Sequence, residues 1–386
     1  MDAKAAARET VEQARSALVA LSHRIHAHPE LGFEEERAST WLCEALAGGG
    51  FAVERGVCEM PTAFVARAGR GPLHLAICAE YDSLPGIGHA CGHNVIGSSA
   101  VGAGLALSRV ADDVGLTVSV IGTPAEESGG GKILLLERGG FAGVHAALMV
   151  HPAPLDIVDP VMLAWSQFDV HYHGKEAHAS AFPELGVNAL DALTIAQTAI
   201  GLLRQHIRPT DRVHGIILKG GDAANVVPAH TSARYMVRAE TLGDLGEIQT
   251  KVRHCFEAGA LASGSRLEMQ PVSPPYAEVV HDAEMAAMYR ENAEALGRVF
   301  PDLGAAARRP AGSTDMGNVS LAMPAIHPTI GLGCYPVVNH QPEFAAHCAT
   351  PVADQALVDG ALAMAWTAID LGTATAACDR LMQKQA

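Results

Sequence analysis

Residues 79–97, AEYDSLPGIGHACGHNVIG, join the end of a hydrophobic strand to a loop crowded with metal-competent side chains. The run leading into it, LHLAICAEYD from Leu73 to Asp82, is apolar and short enough for a buried strand, and Pro85, Gly86 and Gly88 then break it. In open α/β sheets functional groups collect at such strand ends. His89, Cys91 and His93 follow at every second position, so a locally extended chain would turn all three the same way, beside Asp82. A nucleotide loop is rejected, because the third glycine of GxGxxG would fall at Cys91, and Lys132 in SGGGKI lacks the Ser or Thr that a phosphate loop needs next. The sharper rival is a thiol nucleophile, Cys91 with a nearby histidine. The same residues equally make a soft and a borderline ligand for a divalent metal.

Working outward, two more apolar strands end in ligand types. Glu126 and Glu127 follow Pro124 after LTVSVIG. Adjacent acids on a strand point to opposite sides, so one can hold a metal while the other faces a water or substrate. His151 closes ALMVHPAP, and the three strand ends together could line one crevice of a parallel sheet. His340, in VVNHQPEF, offers a further imidazole; His327 and His347 are rivals for that place, and spacing does not choose among them. His23, His26 and His28 have no other ligand types nearby and read as polar surface or packing residues.

Strands and helices alternate up to about residue 160, which predicts an α/β sheet with helices on its faces. Two helices surround a Pro-marked loop between Ala5 and Ala47, strands follow near 51–57, 62–68 and 73–80, and VIGSSAVGAGLALSRVADD is a helix whose small residues permit close packing. Beyond Val161 the order becomes β-α-β-β-α-β, that of a self-contained ferredoxin-like layer. The expected organisation is a catalytic domain in two parts, 1–162 and 274–386, with an inserted α+β domain at 163–273. AIHPTIGLG reads as one strand and the last segment as an Ala-rich helix.

A chain of 386 residues has ample length for such cores. The N-terminus is charged and helix-forming without an apolar h-region, and no run of about 18 apolar residues occurs, so a cytoplasmic protein that does not span a membrane is expected. Eight scattered cysteines imply reduced thiols rather than a disulfide framework. The formal net charge of -15 disfavours nucleic acid and anionic membrane as partners and agrees with a cationic or neutral small substrate.

AEYDSLP, GIGHACGHN, TPAEESGGGK, MVHPAP, HGKEAHAS, ANVVPAH, GSTDMGN and NHQPEF, in this order, resemble the motifs of the di-zinc aminoacylase and carboxypeptidase-type family, numbered twenty among the metallopeptidases. The match runs over nearly the whole chain. It is similar to the amidohydrolase branch, and the stretch AEYDSLPGIGHACGHN, with Asn94 where many members carry Asp, resembles the β-alanyl-lysine dipeptidase type. The resemblance implies a zinc-exopeptidase-like domain with an inserted lid and dimerisation domain, hence a homodimer. It implies metal ligands at Cys91, His93, Glu127, His151 and His340, so it selects His340. It implies Glu126 as general base and acid, and Asp82 as the acid that orients a ligand. His178 and Asn225 match residues that reach the substrate, often across the dimer. Arg238 is a candidate for holding a substrate carboxylate, and Gly312 and Ser313 match a loop bordering it.

The function expected from this is hydrolysis of an amide bond, in a small dipeptide or an N-acyl amino acid, to release a free amino acid. Two divalent ions, zinc or alternatively cobalt, manganese or nickel, would activate the water. The alternatives are a non-catalytic, metal-stabilised binding or regulatory subunit of the same fold, which has no need of Glu126, and a cysteine-dependent hydrolase.

Overall fold

The computed structural model of the chain describes residues 2–304 and 312–383. It divides into two compact units, Met1–Val161 with Val279–Ala386, and Met162–Glu278.

The first unit opens with helices α1 (Ala3–His26) and α2 (Glu36–Gly48), strands β1 (Ala52–Arg55), β2 (Phe64–Gly69) and β3 (Leu73–Ala79), and helix α3 (His93–Ser108). Strand β4 (Leu116–Gly122), helix α4 (Gly131–Glu137) and strands β5 (Ala146–Leu148) and β6 (His151–Ala153) follow. The inserted unit contains β7 (Ala164–His173), α5 (Ala189–Leu203), β8 (Arg212–Lys219), β9 (His230–Ala239), α6 (Leu242–Ser263) and β10 (Arg266–Pro271). The returning chain adds α7 (Ala283–Ala295), α8 (Met316–Ala322), β11 (Ala325–Ile326), β12 (Thr329–Gly331), α9 (Pro342–His347), α10 (Pro351–Thr373) and α11 (Thr375–Gln383).

In the first unit six strands form one sheet in the order β1-β2-β4-β3-β5-β11, with β3 parallel to both β4 and β5. Burial on both faces explains why β3 and β4 read as near-continuous apolar runs rather than alternating ones. One core lies under α1, α3 and α10, and a second, smaller one packs Met60, Cys78, Ile121 and Met149 against α4 and α8. The small residues of α3 are needed for contact: a Cβ on Gly97 would lie 3.0 Å from the Glu80 carbonyl oxygen. The expected single strand AIHPTIGLG is broken. Pro328 separates β11, which pairs with β5, from β12, which pairs with β6. No single helix among the described residues is long and apolar enough to cross a membrane.

The inserted unit has the ferredoxin-like order, an antiparallel sheet β10-β7-β9-β8 with α5 and α6 on one face. Alternation on β7 turns Phe168, Val170 and Tyr172 toward those helices. The Asn188 side chain caps α5 and Thr241 caps α6, satisfying orphan backbone N–H groups at each start.

Candidate active site

Strand β3 ends at Ala79 and delivers Glu80, Tyr81 and Asp82 to the edge of the core, all three buried. Asp82 accepts a hydrogen bond on Oδ1 from His93 Nδ1 at 2.9 Å and on Oδ2 from the Glu127 backbone N–H at 3.0 Å. One carboxylate therefore fixes the imidazole and the acidic turn together, leaving His93 Nε2 directed at the cluster. Gly92, at φ +80, lets the chain turn there so that His93 starts α3. The extended run of His89, Cys91 and His93 expected from spacing does not occur: His93 is helical, and only Cys91 and His93 face the cluster. His89 is buried with its ring 6.2 Å from His26, and neither of its nitrogens is hydrogen-bonded.

A second difference concerns Glu126 and Glu127. They lie in a turn, four and five residues beyond the end of β4, not on the strand. Ala125 takes a left-handed conformation, φ +57, and its N–H is held by the buried Glu35 carboxylate at 2.8 Å. The placement of the two acids thus comes from this turn rather than from strand alternation, and instead of pointing to opposite sides both carboxylates approach His93. Burial, then the charge of Asp82, raises the Glu35 pKa to about 7.

Cys91 Sγ lies 3.4 Å from His151 Nε2, and His151 Nδ1 donates to the Pro152 carbonyl at 2.7 Å, so Nε2 is the free lone pair. Burial lowers the His151 pKa to about 4 and keeps the ring neutral. His340, also at positive φ, is tied by its backbone N–H to the Ala90 carbonyl and brings Nε2 to 3.5 Å from Glu127 Oε1. His93 Nε2 stands 3.8 Å from Glu127 Oε1, 3.9 Å from Glu126 Oε2 and 3.4 Å from Glu80 Oε2. Three donor groups result: Cys91, His93 and His151; Cys91, Glu127 and His340; and Glu80, His93 and Glu126. The rivals of His340 lie elsewhere: His327 is buried against His151, with ring centroids 5.4 Å apart, and His347 ends α9; neither belongs to a donor group.

The donor set fits a divalent metal on its own terms. His93 Nε2, Glu127 Oε1 and Glu80 Oε2 are buried without a hydrogen-bond partner, a costly arrangement unless a cation completes it. Burial, then the Glu127 charge, pushes the Cys91 thiol well up, so a thiolate there requires a cation against it. Sulfur, imidazole and carboxylate together suit a transition metal better than calcium or magnesium.

Three residues of the site escaped sequence reasoning. Lys132, wholly buried, donates to Glu80 Oε1 at 2.5 Å and Asp315 Oδ1 at 2.6 Å. The signal for Glu80 was its i, i+2 relation to Asp82; nothing local marked Lys132 or Asp315. Gly312 and Ser313 precede Asp315, half-buried. In the inserted unit His178 is exposed and its Nδ1 accepts from the Ser180 and Ala181 N–H groups at 3.3 and 3.2 Å. The proton is therefore on Nε2. Its loop is tied to that of Asn225, whose carbonyl accepts from Ala179 N–H at 3.0 Å. Arg238 sits over the Trp165 ring, 5.7 Å from its centroid.

Residues 165–263 match the family model described as a peptidase dimerisation domain. Over 384 residues the chain is 38% identical to the Xaa-Arg dipeptidase of Mus musculus, covering 95% of this chain and 88% of that one. The chain belongs to the M20 peptidase family. Within this family it is also 34% identical over 281 residues to a p-aminobenzoyl-glutamate hydrolase chain of Escherichia coli, covering 67% of this chain and 58% of that one. The fold is that of a dinuclear metal-binding M20 peptidase from Bacillus subtilis, with a TM-score of 0.64 at 22% identity over 91% of this chain and 98% of that one. The chain is thus a metal-dependent hydrolase of amide bonds in the dipeptidase and amidohydrolase branch of the M20 family, with the dimerisation domain inserted in the catalytic domain.

Proposed function

We propose that the protein hydrolyses small dipeptides whose C-terminal residue is basic, releasing the free amino acid, with N-acyl amino acids as the second substrate class. The observation that carries this reading is the convergence of Cys91, His93, Glu127, His151 and His340 into two donor triplets that share Cys91, with buried Glu126 beside them. Likeness to a Xaa-Arg dipeptidase along nearly the whole chain supports a basic leaving residue, as does the net charge of -15.

In this reading the two triplets hold two divalent ions, zinc by donor chemistry, with cobalt, manganese and nickel as alternatives. Such ions polarise the scissile carbonyl and acidify water. Glu126 removes the proton of the attacking water and returns it to the departing amine. Burial, then the charges of Glu80, Glu127 and Asp315, hold its carboxyl well above the usual range, which suits a group that must carry that proton. Asp82 keeps His93 in one tautomer. His178 offers its Nε2–H to the oxyanion. Asn225, Arg238, Gly312 and Ser313 contact the substrate, the last three at its carboxylate. The inserted unit acts as lid and homodimer seam, a role supported by edge strand β8, whose Ile216, Ile217 and Leu218 are exposed. A cytoplasmic setting is supported by the eight cysteines, none of which is in a disulfide.

The test is hydrolysis of a panel, β-alanyl and α dipeptides ending in Arg, Lys or a neutral residue beside N-acetyl and aromatic-acyl amino acids, with metal content measured on the same sample. Release of Arg or Lys, lost with chelator and restored by one metal, is the expected result. Turnover confined to acyl amino acids would remove the dipeptide reading, and none at all in metal-loaded protein would remove both.

A further inference from the structure

The face of the inserted sheet away from α5 and α6 carries metal-competent side chains that the proposed reaction does not use. Because Val170 and Tyr172 of β7 face the helices, alternation turns Asp169, His171 and His173 to the other side. Antiparallel register sets His230 of β9 opposite His173, and Glu268 of β10 opposite His171. His171 Nδ1 and His230 Nε2 are 3.1 Å apart, and the His173 and His230 ring centroids are 5.1 Å apart. His173 Nε2 is buried and makes no hydrogen bond, although Glu268 Oε2 lies 3.4 Å away. An orphaned ring nitrogen of this kind calls for a partner. The other acid on this face, Asp169, is taken by Arg234 at 2.7 Å.

Two histidines at i and i+2 on one strand and a third on its neighbour supply three nitrogen donors from a rigid support, the number found in zinc sites that keep a fourth position for another ligand. We propose that His171, His173 and His230, with Glu268 as oxygen donor, form a second site for a zinc-class divalent ion, built wholly from the inserted unit. The three rings now lie parallel within 19°. Capture turns them about their side-chain bonds until the nitrogens converge, while strand register holds the backbone positions. Glu268 is drawn from Arg266, 3.2 Å away, and from Gln270. Bound metal would pin β7, β9 and β10 together.

The experiment uses the full chain, stripped of metal and titrated with zinc, with ions per chain counted after removal of free metal. Cobalt is titrated in parallel, because its thiolate absorption reports Cys91 separately from nitrogen and oxygen ligands. The double variant His171→Asn/His230→Asn is expected to bind one ion fewer per chain, with the cobalt–thiolate absorption and turnover at parental levels. Glu268→Gln is expected to weaken the same ion roughly tenfold. If the double variant folds poorly, Glu268→Gln and His230→Gln alone carry the test. Zinc titrations of these variants superimposable on the parent's would overturn the site, whatever the fate of the Cys91 cluster.

Discussion

Glu126 is 6% exposed and lies within the charge field of three other acids, Glu80, Glu127 and Asp315. Replacing it with glutamine keeps its shape and removes only the proton acceptor. Glu126→Gln is expected to lower kcat by about 10²–10⁴-fold, the range for loss of a positioned acid-base group, with KM and metal content little changed; turnover that survives at parental metal content would cancel the assignment. Lys132 plays a different part. It is the one lysine or arginine hydrogen-bonded to Glu80 or Asp315 among the described residues, and Lys132→Met removes the ammonium that these two buried acids share. The expected cost is about 3–5 kcal/mol in denaturant unfolding. The triple variant Lys132→Met/Glu80→Gln/Asp315→Asn, which removes the charges together, should recover much of that loss; equal destabilisation of both variants would show that packing, not charge pairing, decides. Neither Lys132 nor Asp315 was legible beforehand, since a buried ion pair looks like surface charge in sequence and these two stand 183 positions apart.

At the scale of elements, what positions the acids is the turn between β4 and α4. Gly131 is the first residue of α4, and a Cβ there would come within 1.9 Å of the Pro124 carbonyl oxygen. Gly131→Ala is therefore expected to destabilise by about 1–3 kcal/mol through overpacking and to disturb metal binding, because the same turn carries Glu126 and Glu127. Gly246→Ala in α6 is the contrast. It meets nothing within 4 Å, its φ is ordinary, and it should stabilise by roughly 0.5–1 kcal/mol. Denaturant midpoints of the two variants check this, and shifts of the same sign would refute the packing argument. The elements themselves were largely readable. Apolar runs ending in Pro or Gly marked β3 and β4, and alternation marked β7. Irregular backbone was not readable: the left-handed turn at Ala125, the helical start at His93 and the break at Pro328 depend on contacts made far along the chain, such as Glu35 holding the Ala125 N–H. Hence the spacing that set His93 beside Asp82 corresponds to a hydrogen bond in the structure and Cys91 shares a donor group with His93, whereas strand alternation does not describe the backbone at His89 or at Glu126–Glu127.

For the whole molecule, 42 acids against 27 lysines and arginines leave a net charge of -15, only part of which two divalent ions would offset. A field of that sign draws a cationic substrate toward the protein and leaves a neutral one indifferent. The effect is long-ranged only at low salt, with a screening length of about 30 Å at 0.01 M and about 10 Å at 0.1 M. A dipeptide ending in arginine has an ideal partner for comparison, the same dipeptide ending in citrulline, which keeps the shape and loses the charge. Raising salt between these two concentrations is expected to lower kcat/KM for the arginine substrate several-fold while changing the citrulline value little. A fall confined to kcat/KM, with kcat steady, would place the effect in encounter rather than chemistry. If both substrates respond alike, the charge is serving solubility alone, and the preference for a basic residue must come from contacts within the site. If the arginine substrate gains from added salt, the local potential at the entrance is positive despite the global sign, and the basic-residue reading falls.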